Sequence, residues 1–537
     1  MGDLADFATA AAAVQNPQTS AADLGIIAQY HPGLRAAVAG HPNAYPALIG
    51  WLRQQPQPVV YRPQPQPVAY QAPYQAYPMG NSINQPAPRR RNNAGLIAII
   101  ILVVLAIIAA LVVFVFKPGG AGMFGPASPK APWSANWGSG NMASFSGSAI
   151  TPDGGVVVVG CTGSQDDCQS LTDETESGLV KYNPNGTLAW SHTYGDGNSV
   201  MELGTVAVAR DGTIVVAGYT DSTSGAIRSS GGGLDAILAT FTADGTPEWA
   251  KAYGGSGDDW FNAVAVGSGG IFAVGVTASP DGGFHASADN LDGIAASVTM
   301  KGDLNWIKSY GGEGNDYFVG MAMAADGTMA VGGLTRSTTG DFPMTNDTQD
   351  AVLASLRTDG TLAWDKTFGG SSTQTFYAVA AEPDGTIIAA GFSDSPDGTF
   401  PAANGNEDGV VVSVTADGTL NWATVVGGDG NDDIESLAIT GDGTIIAAGS
   451  TSSTDGSFVG NHGGSDAFVV SLSESGSQNW LKCFGGSDDD WFKSVVVAAN
   501  GNIVAAGSTS SSDGDFPVAS GNQDAVVASM TPTGSLI

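Results

Sequence analysis

Positive charge is the scarcest commodity in this chain of 537 residues: 19 Lys and Arg stand against 51 Asp and Glu, a formal net charge of −32. The shortage is sharper in part of the chain. Residues 1–93 carry six Arg and three Asp, whereas residues 120–537 carry 12 Lys and Arg against 48 Asp and Glu, a balance of −36. A field of that sign repels polyphosphate and anionic lipid, so no nucleic-acid partner is expected, and cations or cationic partners are favoured. Only three cysteines occur, which excludes a disulfide-dense scaffold. Charged residues make up only 13%, too few for a set of charged amphipathic helices, while 76 glycines point to many tight turns between short strands. Long apolar runs are also missing, with one exception.

That exception is Ala94 to Phe116, 23 residues without a polar side chain. As a helix rising about 1.5 Å per residue it is long enough for a hydrocarbon core of about 30 Å. It lies too far from the start of the chain to be a secretory signal. Arg89, Arg90 and Arg91 flank its N-terminal side and Lys117 alone follows it. The positive-inside rule therefore predicts a single-pass membrane anchor, with the N-terminus cytoplasmic and everything after 117 outside. Its small residues Gly95, Ala98 and Ala106 permit helix pairing without requiring it.

Around this span the chain divides into segments. Residues 1–53 are Ala-rich, and Thr19 and Ser20 can cap a helix through Leu24, Ile26 and Ile27. Leu34 and Val38 suit a second short helix and Leu48 to Leu52 a third, with prolines between. The run ADLGIIAQYHPGLRAAVAGHPNAYPALIGWL resembles the variant leucine-rich-repeat segment found at the N-termini of many Gram-positive membrane proteins. The resemblance implies a small helical interaction module for a cytoplasmic partner, with no catalytic residues to carry over. Residues 54–93 are Pro/Gln/Tyr-rich and read as an extended spacer. Residues 117–132 form a short stalk.

From 133 to 537 one unit is written repeatedly, with tryptophans at 137, 190, 249, 306, 364, 422 and 480, the last four 58 apart. The Phe of a DG-x-F loop (Phe284, Phe342, Phe400, Phe458, Phe516) and an Asp (Asp292, Asp350, Asp408, Asp466, Asp524) keep the same step. Such a period means that each copy buries its apolar face only against neighbours. In the copy that starts at Trp364 four strand-like runs appear: 376–381, 386–391, 409–415 and 419–424. Asp384-Gly385 joins the first pair and Asp417-Gly418 the second, the short-range signature of hairpins. Four antiparallel strands per unit make a propeller blade. The N-terminal copy begins with an orphan fourth strand at Trp137, and the C-terminal copy ends in a stub, Ser535 to Ile537. Each end supplies what the other lacks. The expected architecture is all-β, a seven-bladed β-propeller of four-stranded antiparallel blades, closed by the Trp137 strand.

The stretch GGSDDDWFKSVVVAANGNIVAAGSTSSSDGDFPVASGNQDAVVAS at 485–529 resembles a family of bacterial β-propeller repeats, running GG-x-G-D-D, strand, G-N-I/T strand, S-x-D-F-P and D-A-F-V. That resemblance implies the fold and no activity, since the family shares no catalytic set.

Alternation of strand direction puts both Asp-Gly hairpins of a blade on one face. The long second-to-third loops and the blade-to-blade crossovers share the other, where acidic segments collect. Asp258, Asp259, Asp316, Asp432, Asp433, Asp488, Asp489 and Asp490 offer hard oxygen ligands that would suit calcium. Alternatively these aspartates cap turns through main-chain N–H groups, a reading favoured because no copy has the alternating Asp/Asn loop with a distal Glu. The Trp-Phe and Tyr-Phe pairs at 260–261, 317–318 and 491–492 invite carbohydrate stacking, but alternation sends one of each pair to the core. The fourth-strand tryptophans are expected in the core. Cys161 and Cys168 can staple the first copy's aberrant loop as a disulfide, and Cys483 reads as a buried free thiol.

The leading functional expectation is a membrane-anchored, cell-surface binding module whose loop face meets an extracellular protein or glycan. An extracellular carbohydrate-active enzyme and a transmembrane sensor are the alternatives. Near-equivalence of the copies weighs against an enzyme, because active sites break repeat symmetry.

Overall fold

The computed structural model describes Asn16, Leu24, Ile27, Val38, residues 134–137 and residues 142–537, the last without 164–175, 196–198, 223–228, 230–231, 287–289, 346–347, 402–405, 459 and 517–522. The chain separates into two compact units, Met1–Gly120 and Ala121–Ile537. In the first, Leu24, Ile27 and Val38 are helical and buried, as the apolar spacing anticipates. The apolar span 94–116, its flanking Arg89, Arg90 and Arg91, the spacer and Cys168 lie outside the described residues. Among the described residues no helix is long and apolar enough to cross a membrane.

The second unit is a ring of seven four-stranded antiparallel sheets. Six blades are continuous in sequence, running Met142–Tyr194, Met201–Tyr253, Asp259–Tyr310, Asp316–Phe368, Gln374–Val426 and Asp432–Phe484. They are blades 1 to 6. Blade 7 joins β26 (Asp490–Val497), β27 (Ile503–Thr509) and β28 (Asp524–Met530) to β1 (Ser134–Trp137) from the other end of the ring. The C-terminal stub starts that fourth strand, with Leu536 bridging Met530 and the Ile537 N–H donating to the Ser529 carbonyl. β1 continues it, pairing Ser134 with Ala528 and Trp137 with Ala525. β1 and residues 536–537 thus cover the β28 edge between them, which a closed ring needs if no strand is to template association.

Register corrects one detail of the sequence reading. Trp137 pairs with Ala525, whereas the repeat's tryptophan pairs four residues further along the third strand, as Trp480 does with Ser471. Trp137 therefore stands where blade 6 has Phe484, opposite Ala467. A second tryptophan, Trp133, lies four residues earlier, so two residues satisfy the repeat's spacing here and only the register with Ala525 places Trp137.

The blades form because their two middle strands are apolar on both faces. In blade 5, β19 (Ile387–Ser393) and β20 (Asp408–Val414) are buried along their whole length, as inner strands sandwiched between neighbouring blades must be. The outer strand β21 (Leu420–Val426) is only half-buried. The innermost strand β18 (Gln374–Ala381) carries a bulge between Phe376 and Ala378 that re-aims its side chains. Opposite it sits Gly391, where a Cβ would collide with the Thr375 carbonyl oxygen, so the bulge demands glycine there. The DG-x-F phenylalanines are core residues, Phe284, Phe342, Phe400, Phe458 and Phe516 being 0–4% exposed.

The fourth-strand tryptophans, in contrast, are half-buried clamps. Trp249, Trp306, Trp364 and Trp422 each donate the indole N–H to a carbonyl in the next blade's second hairpin, at 3.0, 2.9, 2.8 and 3.0 Å. Each ring also lies over that hairpin's glycine. At Gly418, with φ +80°, an added Cβ would stand 2.8 Å from the Trp364 ring. Alternation alone places tryptophan on the apolar side of an outer strand. Only the blade-to-blade stagger decides that it reaches a neighbour's turn.

Candidate binding face

Strand direction sets the two faces of the ring, and the acidic loops share one of them. Its architecture is built by the crossover that links blades. In GG-x-x-x-D, the second glycine's N–H donates to the carboxylate four residues on: Gly255 to Asp259, Gly312 to Asp316 and Gly428 to Asp432 at 2.8 Å, and Gly486 to Asp490 at 2.9 Å. A serine from the second-to-third loop joins each carboxylate, Ser279, Ser337, Ser453 and Ser511 donating at 2.6–2.8 Å. Thr277 and Thr451 complete the sets at Asp259 and Asp432. In blade 5 a glutamine does the same work, Gln374 accepting from the Gly370 N–H at 3.0 Å. A neutral amide serves because the requirement is for an acceptor, not for charge.

These four carboxylates are buried, and burial raises the pKa of each above the ordinary carboxylate value. The exposed members of the acidic runs pin loops from the preceding blade. Asp258 accepts the Leu234 N–H at 2.9 Å and Asp489 the Ser465 N–H at 2.8 Å. Asp488 is exposed, and its main-chain N–H donates to Ser511 at 3.0 Å. Of the eight aspartates singled out for calcium, most therefore hold main-chain donors of the loops they belong to. Among the described residues, no group of three or more His, Cys, Asp or Glu side chains has an arrangement that could hold a metal ion.

Asp433 differs from its companions. It pairs with Ser450, the position held by Trp260, Tyr317, Thr375 and Trp491 in other blades. Adjacent DD in the sequence conceals this, because in blades 3 and 7 the pair is shifted by one. Asp433 is half-buried, and its pKa is raised to about 7, first by burial and then by Glu435 and Glu407. Glu407 is raised too, by burial and by Asp394. Two of these four acids, Glu407 and Glu435, have no acidic counterpart in the blades compared. Glu407 stands where the other blades have Leu234, Leu291, Gln349, Ser465 and Gln523. Glu435 replaces Gly204, Asn262, Val319, Tyr377 and Lys493. Asp394 has one acidic counterpart, Asp221, and Asp433 one, Glu202.

The result is a patch of four carboxylates at the loop-face end of blades 5 and 6. Asp394, Asn406, Glu407 and Asn431 line an open depression of about 460 Å³ there. Lys493 from blade 7 makes an ion pair with Glu435 at 2.6 Å. Burial and the three nearby carboxylates push the Tyr377 phenol up. Of this group only Asp433 belongs to an acidic crossover run in the sequence; Asp394, Glu407 and Glu435 do not. The available signal was departure from the repeat consensus, not local density of acids.

The aromatic pairs divide as alternation demands, Phe261, Phe318 and Phe492 buried and Trp260, Tyr317 and Trp491 half-buried. Cys161 is disulfide-bonded. Cys483 is a free, half-buried thiol, and burial pushes it up to about 12, far from a reactive thiolate.

Among known families, the Leucine Rich Repeat Variant domain model matches residues 8–67, extending the segment recognised in the sequence. A search of the curated proteins found no match. Solved structures resemble the chain only distantly. An unknown-function protein from Dyadobacter fermentans is 12% identical, covering 74% of this chain and 98% of its own, with a TM-score of 0.37. An inactive virginiamycin B lyase variant from Staphylococcus aureus is 8% identical over 74% and 98%, with a TM-score of 0.40. Sqt1 from Chaetomium thermophilum is 13% identical over 74% and 85%, with a TM-score of 0.39. Likeness at this level says nothing about activity. The chain carries a variant leucine-rich-repeat domain near its N-terminus and a seven-bladed β-propeller after it.

Proposed function

We propose that the protein is a membrane-anchored, cell-surface binding module whose acidic loop face captures a cationic segment of an extracellular protein or glycan. One observation carries this reading. Seven near-equivalent blades depart from equivalence by collecting Asp394, Glu407, Asp433 and Glu435 close enough to act on one another, Asp394 and Glu407 lining an open depression. Stability does not require it, since like charges brought together and half-buried cost free energy. A cationic partner would relieve that cost. Anchorage rests on the apolar run 94–116 behind Arg89, Arg90 and Arg91, and the helical segment ahead of it would dock a cytoplasmic partner.

The test is binding of a decalysine peptide to the purified full-length chain. Glu407→Gln with Asp433→Asn should weaken binding at least tenfold and flatten its salt dependence. Neutralising two hairpin-face acids, Asp211 and Asp326, should change it little. Equal loss from both pairs would reduce the effect to net charge and sink the reading. Anchorage is checked by deleting 94–116, which should move the chain from the membrane fraction to the soluble one.

A second reading, a carbohydrate-active enzyme, is favoured by the raised carboxyls themselves. Asp433 at about 7 and Glu202, raised to about 6 by burial, are near-neutral acids on innermost strands. Hydrolysis of a neutral polysaccharide that vanishes in both Asp433→Asn and Glu202→Gln would support it over the binding module.

A further inference from the structure

The hairpin face, opposite the acidic loops, breaks the repeat in a different way. Four fourth-strand tryptophans spend their indole N–H on the next blade's turn. Among the described residues Trp190 has no acceptor, and its indole nitrogen is buried. Trp480, at the same position of blade 6, also has no acceptor among the described residues, yet it lines a cavity of about 490 Å³ between blades 6 and 7. Its ring still lies over Gly534, whose added Cβ would stand 2.6 Å away, so the indole is held in place by packing alone. One rigid aromatic face and one unspent donor therefore open into a cleft of ligand size, about 300–1,000 Å³ being usual for such sites.

The remaining lining settles what would fit. Asn500 accepts the Asn502 N–H through Oδ1 at 3.0 Å, which leaves its amide NH2 to donate. Asn479 donates to Ser471 at 3.2 Å and keeps its carbonyl oxygen. In Asp442, Oδ1 takes Thr440 and the Thr444 N–H, while Oδ2 stays open. Ile446, Ile503 and Pro532 supply apolar wall. No cation lines the cleft, which argues against a phosphate or carboxylate ligand, and a single carboxylate among amides and apolar carbons does not suit a metal. A ring with C–H groups on its face and hydroxyls around its edge satisfies every feature. Its face stacks on the indole, and its hydroxyls both donate to Asp442 and Asn479 and accept from Trp480 and Asn500.

We propose that this seam binds a short neutral saccharide, independently of the acidic face. The test uses the full-length chain and saturation-transfer NMR against a panel of four neutral disaccharides, chitobiose, cellobiose, maltose and mannobiose, at about 10 mM, well above the millimolar Kd of weak sites. At least one should show transfer. Trp480→Phe keeps the ring and removes the N–H, so affinity should fall about two- to twelvefold, the worth of one hydrogen bond. Asn500→Ala should act similarly. Trp422→Phe, whose N–H is already spent on Glu474, should leave affinity unchanged, and so should Glu407→Gln with Asp433→Asn. Transfer from none of the four, or transfer indifferent to both Trp480→Phe and Asn500→Ala, overturns the proposal. Since Trp480 makes no internal hydrogen bond, Trp480→Phe should fold like the parent, which far-UV circular dichroism checks.

Discussion

The claim that tryptophan clamps join the blades can be tested by two glycines with the same backbone and different surroundings. Gly418 closes the second hairpin of blade 5 with φ +80°, and Gly443 closes the first hairpin of blade 6 with φ +82°. Alanine at either pays the left-handed penalty of about 1–2 kcal/mol. At Gly443 the nearest atom to the new Cβ is Glu474 Oε2 at 3.8 Å, so that penalty is the whole effect. At Gly418 the Cβ would stand 2.8 Å from the Trp364 ring, which must move. Displacing the indole adds about 1–3 kcal/mol of overpacking and about 0.5–1.5 kcal/mol for its 2.8 Å hydrogen bond to Ala416. Gly418→Ala should therefore cost about 2.5–6.5 kcal/mol against about 1–2 for Gly443→Ala. Equilibrium urea unfolding followed by circular dichroism measures both. In a Trp364→Ala background the excess should disappear, because nothing remains to displace. Equal costs in the parent, or an excess that survives without Trp364, would refute the clamp.

Other outcomes follow from the same geometry. Burial raises the folded Asp433 carboxyl to about 7, against about 3.9 for an ordinary aspartate in the unfolded chain, so the folded state holds an extra proton between those values. Its contribution is fullest below about pH 4 and is lost as pH rises through 7, and Asp433→Asn should flatten that decline in unfolding free energy. Thermal unfolding in calcium and in chelator should coincide, because the loop aspartates already accept main-chain donors. A chelator-induced fall of many degrees would instead show a cation among Asp258, Asp259, Asp316, Asp432, Asp488, Asp489 and Asp490. Deleting Ser134–Trp137 should leave β28 an open edge and drive self-association, seen as higher mass by light scattering.

Much of the ring was readable before any coordinates. Alternation around Asp384-Gly385 and Asp417-Gly418 defines hairpins because turn chemistry is local, and a regular spacing of 58 repeats the same local solution. The complementary chain ends even implied closure. Long-range registration was not readable in the same way. Trp133 and Trp137, four apart, satisfy the same pattern, and only the pairing of Trp137 with Ala525 separates them. That the fourth-strand tryptophans are half-buried clamps depends on a neighbour's turn in another blade, which alternation does not encode. The acids divided along the same line. Spacing exposed those of the GG-x-x-x-D crossovers, which turn out to pin loops four residues away. Asp394, Glu407 and Glu435 are scattered over forty-two positions, 394 to 435, and mean nothing together until two blades bring them to one rim. Composition, turns and period, all short-range properties, were determined by the sequence itself. Which side chains meet across a blade boundary was decided only by tertiary structure, because that contact joins residues whose separation no local pattern encodes.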